Sequence, residues 1–271
     1  MKEMIESSAN KTIKYIKSLT MKKYRDEQDK FIIEGEKLIE EALNYKVQIS
    51  TVLVSESFAA SNKYNEFAVV FNDNNIPVYY TEDKIFKSVC ETDTPQGILA
   101  VSAKPEYDID SIISKDELSL ILLNELRDPG NVGTIIRSAD ACGLDAVIIS
   151  KGSVDLYNGK TIRATMGSLF HMPVIQGLDT QDTLEKLKNN EVITIGADPH
   201  SSESCIDLLH YKKSAIIIGN ESQGINSDIK SILDINVKIP MPGRAESLNA
   251  GIAASILMYE LYVRKRGCPA Q

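Results

Sequence analysis

The chain has 271 residues, 43% hydrophobic and 25% charged, enough for one large domain or two modest ones with a substantial core. No apolar run nears the roughly 20 residues of a membrane-spanning helix, and the opening MKEMIESSANKTIKYIKSL lacks a signal-peptide core, so the expected location is the cytoplasm. A net charge of −8 argues against indiscriminate polyanion binding, and four scattered cysteines (90, 142, 205, 268) with three histidines (171, 200, 210) offer neither a disulfide framework nor metal-ligand spacing.

Charge is nonetheless uneven. Residues 1–25 carry Lys2, Lys11, Lys14, Lys17, Lys22, Lys23 and Arg25 against Glu3 and Glu6, a local excess of seven minus two, or +5. Two readings stand: a solvated helix face, or a basic arm that meets a polyanion. Short β-rich runs then alternate with helical patterns. FIIEG (31–35) leads into EKLIEEALNY, whose Leu38, Ile39, Ala42 and Leu43 share one face, followed by ISTVLVS (49–55), IPVYYT (76–81) and GILAVSA (97–103). Residues 1–105 therefore form an α/β module. The polar stretch KPEYDIDSIISKDE (104–117) has the proline and mixed charge of a linker with at most one helical turn, placed at 106–117.

A second α/β unit spans 118–271. Its strand candidates are SLILLNE (119–125), AVIIS (146–150), MPVIQG (172–177), EVITIGAD (191–198), SAIIIGN (214–220) and INVKIP (235–240). Several are continuous apolar runs, the signature of parallel strands buried on both faces, and helical patterns separate them. A doubly wound parallel sheet is the expectation. Cys142 is expected in its core.

Three strand ends carry unusual loops. NELRDPGNVGTIIRSADACG (124–143) places a glycine turn before a helix, with Asn131 the candidate N-cap and Val132, Ile135, Ile136 and Ala139 the packing face. Arg137 lies off that face, and near a helix start the macrodipole gives a cation no stabilisation, so it reads as an ion-pair residue or as a functional one. The second loop is SAIIIGNESQGI (214–225), with Gly219, Glu221 and Gly224; the third is IPMPGRAESLNAGIAASILMYEL (239–261), opening a helix rich in small residues after Ser247, Leu248 and Asn249. None contains G-x-G-x-x-G or a P-loop, which disfavours a nucleotide-dependent oxidoreductase.

In this order the loops resemble the SpoU (TrmH-type) family of the SPOUT superfamily, through N-x-x-D-P-G-N-x-G-x-x-x-R, I-x-G-x-E-x-x-G and I-P-M-x-G-x-x-x-S-L-N, with further likeness in RATMGSLFHMPV (163–174) and TIGAD (194–198). KKYRDEQDKFIIEGEKLIEEAL (22–43) and TDTPQGILAV (92–101) resemble that family's substrate-binding domain, of ribosomal-protein-L30e-like fold. One departure stands out: where members commonly continue Val-Ser after the third motif, this chain has Ala250-Gly251.

The resemblance implies an α/β methyltransferase domain tied in a deep trefoil knot, which sequence pattern alone does not propose. It implies an RNA ribose 2′-O-methyltransferase using S-adenosylmethionine, without metal, acting on rRNA rather than tRNA, and forming a homodimer through the C-terminal domain. It implies cofactor contacts from Thr194, Gly196, Ala197, Ile218, Gly219, Ile239 and Leu248, and catalytic roles for Arg137, Asn131, Glu221, Ser247 and Asn249. The alternatives are a tRNA 2′-O-methyltransferase and a non-catalytic RNA-binding protein that retains the fold. Within the C-terminal helix, Ile256, Leu257, Tyr259, Leu261 and Tyr262 exceed one narrow apolar stripe, as a subunit interface would require.

Overall fold

Why each segment adopts its element is clearest in the second sheet, where chain and burial agree residue by residue. In the computed structural model, which describes residues 4–264, the chain divides into two compact units. The second comprises Glu106–Leu156 and the residues from Ala164 on. Its strands are β6 (Leu118–Leu123), β7 (Ala146–Ser150), β8 (Val174–Leu178), β9 (Ile193–Ala197), β10 (Lys213–Ile218) and β11 (Ile235–Val237), numbered after five in the first unit. Every residue of β6 and β7 is buried, as a strand covered on both faces demands.

All pairings in this sheet are parallel, in the order β11-β9-β10-β6-β7-β8. The chain winds outward from β6 through β7 to β8, then crosses to the far side and inserts β10 between β9 and β6. The winding direction therefore changes between β6 and β10. In open parallel sheets, ligands bind beyond the carboxyl ends of the strands at such a switch point. One face is filled by Leu118, Leu120, Leu122, Ala146, Ile148, Ala215 and Ile217 with Leu184 and Leu187 of the helix Thr180–Asn189. Burying a leucine of this kind contributes roughly 1.5–3 kcal/mol.

The expected linker is more structured than its composition indicates. Asp108 caps a helix, Ile109–Ile113, by accepting from Asp110 N–H (3.0 Å) and Ser111 N–H (3.3 Å), and Ile113 is buried in the core of the second unit. Three isoleucines in five residues supply an apolar face that polar neighbours had masked.

The first unit runs to Pro105 and takes in Tyr157–Arg163. Its strands are β1 (Met4–Ile5), β2 (Lys30–Glu34), β3 (Ile49–Ser55), β4 (Val78–Thr81) and β5 (Ile98–Ala103), in the order β1-β4-β3-β5-β2. β5 runs antiparallel to β2 and β3, so the sheet is mixed. The two-residue β1 was not anticipated; it adds to the edge of β4. Tyr157 packs on Phe31 with ring centroids 4.7 Å apart, anchoring its segment in this unit.

The basic N-terminal stretch is not an extended arm. It folds as helices Lys11–Ser18 and Lys22–Gln28, the first burying Ile13 and Ile16. Lys14, Lys17, Lys22 and Lys23 are exposed, but Arg25 is buried and donates from Nη1 to the carbonyls of Leu19 (2.9 Å) and Thr20 (2.6 Å). Arg25 thus leaves the group of candidate polyanion contacts and becomes a structural residue. Cys142, expected in the core, is only half-buried at a helix C-terminus, and burial pushes its thiol pKa up. Cys268 lies outside the described residues.

Candidate active site

At the carboxyl end of β6 the chain turns into the helix Pro129–Ala141. Its N-cap is Asp128, not Asn131: the Asp128 carboxylate accepts from Asn131 N–H at 2.8 Å, and Pro129 occupies the first helical position, where a missing N–H costs nothing. Moving the start forward moves Arg137 as well. It is the ninth of 13 residues, beyond the middle of the helix, so the macrodipole does not disfavour it as expected from sequence. Arg137 is exposed and makes no hydrogen bond or ion pair among the described residues.

Freed from capping, the Asn131 side chain joins the three motif loops. Its amide donates to Glu221 Oε1 at 3.2 Å, and its carbonyl oxygen accepts from Asn249 Nδ2 at 2.9 Å. Asn249 in turn caps the helix Ala250–Met258, its oxygen accepting from the N–H groups of Gly251 (2.9 Å) and Ile252 (3.2 Å). Glu221 also accepts from the backbone of Arg127 (3.2 Å) and Asp128 (2.9 Å). Burial alone would raise the Glu221 pKa, but the N–H groups of Asp128, Glu221 itself and Arg127, with the Asn131 amide, outweigh it and hold the carboxyl below its ordinary value. Glu221 is thus an ionised clasp on the first loop.

Beside this relay lies a cleft of about 750 Å³ lined by Ala197, Ile218, Gly219, Glu221, Ser247 and Leu248, among others. Ile239, Ala253 and Leu257 add apolar wall. The volume falls in the range of small-molecule sites, roughly 300–1,000 Å³. Gly219 is required: a Cβ there would stand 2.2 Å from the Gly224 backbone and 2.3 Å from that of Ile225, where the loop folds back on itself.

Two expected cofactor contacts are not in the lining. Thr194 is buried, its N–H and hydroxyl both donating to Asp234 (2.8 and 2.7 Å). Gly196 faces packing instead, since a Cβ would meet Asn236 Oδ1 and Leu233 Cδ1 at 2.6 Å. Arg137 and Asn131 are likewise absent from the lining, and Asn249 reaches it through its neighbours Leu248 and Ala250. Sequence reading missed Asp198, His200, Lys230, Met241 and Glu246, all of which line the cleft.

The Ala250-Gly251 departure has a packing reason. A Cβ at 251 would approach Thr134 Cγ2 to 3.3 Å, while Ser255 and Ser138 hydroxyls bond at 2.8 Å one turn further on. The small residue lets the two helices lie close. Among the described residues no group of three or more His, Cys, Asp or Glu is arranged to hold a metal ion.

A parallel sheet with its cleft at the switch point, and three motif loops tied by one amide relay, define an S-adenosylmethionine-dependent RNA ribose 2′-O-methyltransferase. The chain belongs to the SpoU rRNA Methylase family, whose pattern matches residues 119–259. Residues 10–100 match the MRM3-like substrate binding domain. The 23S rRNA (guanosine(2553)-2′-O)-methyltransferase RlmP of Bacillus subtilis (strain 168) is 35% identical over 259 residues, covering 96% of this chain and 99% of the relative. The AdoMet-bound rRNA methyltransferase of Sinorhizobium meliloti superposes with a TM-score of 0.84 at 28% identity, covering 95% of this chain and 96% of the other. The SpoU methyltransferase AviRb of Streptomyces viridochromogenes, in complex with AdoMet, gives 0.84 at 26% identity, covering 95% and 98%.

Proposed function

We propose that this chain methylates a ribose 2′-hydroxyl of ribosomal RNA, with the cleft as the cofactor site and the Asn249–Asn131–Glu221 relay as its catalytic rim. The relay carries the reading, because it joins the three motif loops beside the cleft and fixes the amide orientations before any substrate arrives. S-adenosylmethionine supplies an electrophilic methyl group on a sulfonium. Ala197, Ile218, Gly219, Ile239 and Leu248 would hold its adenosine part through backbone and apolar contact. The cleft's size and its glycine-tight wall fit such a ligand.

Glu221 is not the proton acceptor in this reading, since it is ionised below its usual range and its oxygens are taken by N–H groups. It positions the loop. Ser247, exposed and on the cleft, can meet the ribose. Arg137 stabilises negative charge on the attacking oxygen, and being too basic to release its proton it acts as a cation. It lies six residues past Asn131, about 9 Å along the helix, so it serves an RNA laid over the rim or the cleft of a second copy.

A two-fold homodimer through the second unit belongs to the same reading. Of the residues expected at a subunit interface, Leu257, Leu261 and Tyr262 are instead buried within the chain; Ile252 and Tyr259, 52% and 56% exposed, form with half-buried Ile256 a stripe at i, i+4, i+7. Light scattering should give twice the monomer mass at micromolar concentration; the monomer mass would remove the dimer. The knot that the family likeness implies belongs here too, as does a cytoplasmic site of action. No helix among the described residues is long and apolar enough to cross a membrane. Exposed Lys14, Lys17, Lys22 and Lys23 supply phosphate contacts in the first unit.

The deciding experiment is methyl transfer from labelled S-adenosylmethionine to rRNA and tRNA transcripts, with 2′-O-methyl positions mapped in cells with and without the gene. A ribose mark in rRNA that vanishes with the gene is expected. A missing mark in tRNA instead, or none in either RNA, sinks the rRNA assignment.

A further inference from the structure

Asp198 follows β9 directly and stands on the cleft, only 8% exposed. Its backbone N–H donates to Val237 O at 2.9 Å, which fixes it to β11. One carboxylate oxygen accepts from His200 N–H at 3.1 Å, and the other pairs with the Lys230 ammonium. Lys230 and His200 also line the cleft. A carboxylate has about four lone-pair positions; two are committed here, leaving two for a ligand.

We propose that Asp198, held by Lys230 and the His200 N–H, accepts hydrogen bonds from the ribose hydroxyls of the bound cofactor. The charges choose the ligand group. Lys230 already neutralises Asp198, so the pair suits neutral hydroxyl donors; a ligand ammonium brought to the same carboxylate would meet the Lys230 charge. The place suits as well. β9 lies beside β10, one strand further from β6 and the Asn131 relay, so the pair sits away from the reacting end of the cleft. An acidic side chain on a ribose diol is a recurrent solution at strand ends of parallel sheets. The carboxyl is also ready to accept: burial would raise its pKa, but the Lys230 and His200 contacts outweigh that and keep it below its ordinary value.

This inference rests on the cleft being the cofactor site, and the test separates the two. Titration calorimetry would measure S-adenosylhomocysteine and its 2′-deoxy and 3′-deoxy forms against the full-length protein. Wild type should bind at least one deoxy form about 10- to 100-fold more weakly, as loss of a hydrogen bond to a charged group predicts. Asp198→Ala should bind S-adenosylhomocysteine more weakly by a similar factor and lose the discrimination, its ratio falling to about one. Asp198→Asn preserves the shape of the side chain and should retain part of the ratio, which keeps the test decisive should the alanine variant unfold. Wild type binding all three ligands within twofold, or a full ratio surviving in both variants, overturns the assignment of Asp198 while leaving the cofactor site intact. No binding of S-adenosylhomocysteine by folded wild type overturns the cofactor site, and this inference with it.

Discussion

The two sheets use similar strands to different ends. In the second unit every pairing is parallel, so all strands deliver their carboxyl-terminal loops to one edge, and the switch between β6 and β10 opens a cleft there. In the first, β5 runs against β2 and β3, so loops leave from both edges. Its exposed Lys14, Lys17, Lys22 and Lys23 lie on two short helices. The difference teaches where chemistry and where recognition can reside: changes at the cleft of the second unit should alter turnover or cofactor binding, and changes to the exposed lysines of the first should alter RNA affinity alone.

The sharpest way to break that division is Arg137→Ala. Methyl transfer should fall at least about 100-fold, the scale for removing one transition-state charge partner, with folding and cofactor affinity nearly unchanged because the side chain has no partner among the described residues. Arg137→Lys should recover only part, since lysine lacks the planar fork. Single-turnover rates and calorimetry check both; turnover within threefold of wild type would falsify the role.

Asn249→Ala comes next. It removes a helix cap, at a cost of about 1 kcal/mol, together with the bond to Asn131. Cofactor affinity and turnover should both drop, each by about tenfold, since 1.4 kcal/mol corresponds to that factor. A loss confined to turnover would assign Asn249 to the acceptor side alone.

For the first unit, neutralising Lys14, Lys17, Lys22 and Lys23 together should weaken RNA binding. It should also flatten the slope of log K against log salt by roughly 0.7–0.9 for each phosphate no longer neutralised. Cofactor affinity should not move. Arg25→Ala should instead lower the melting temperature, because it leaves the Leu19 and Thr20 carbonyls without their donor. A salt slope unchanged by the lysine substitutions returns them to a solvated face.

The smallest effect expected is in acid. The folded pKa of Glu221 lies below its ordinary 4.5, so its contribution is complete above that value and lost as pH falls through the folded value. The stability difference between wild type and Glu221→Gln should therefore be constant from neutral pH to about pH 5 and shrink below it. Melting curves from about pH 3 to neutral read this directly, and a difference that grows toward acid would contradict the clasp.

The sequence discloses strands such as Ala146–Ser150 and Ile49–Ser55 to the residue, because runs rich in apolar and β-branched residues between polar turns admit few other readings. It misplaces the N-cap because Asn131 and Asp128 are both good caps; the proline after Asp128 was the usable signal. Thr194 and Gly196 sit in β9, whose carboxyl end meets the cleft, but Asp234, Leu233 and Asn236, distant in sequence, pack against them. Asp198 and Lys230 escape for the same reason, since tertiary structure rather than any local pattern brings them together. Ile218, Gly219, Ile239 and Leu248, picked out by their motifs, do line the cleft, because their loops follow strand ends of one parallel sheet.

The amide relay has a direction. Asn249 donates a hydrogen bond to Asn131, and Asn131 donates one to Glu221. Chemical size is therefore a poor guide to what position 131 tolerates. Aspartate matches asparagine nearly atom for atom, yet it would set a second anion against the carboxylate 3.2 Å away and take one of that clasp's donors. Alanine, a far larger change in shape, removes both side-chain bonds but introduces no charge. Substitution tables rank these two in one order and this site in the other, so a variant carrying aspartate at this position is the one whose first and second loops should come apart.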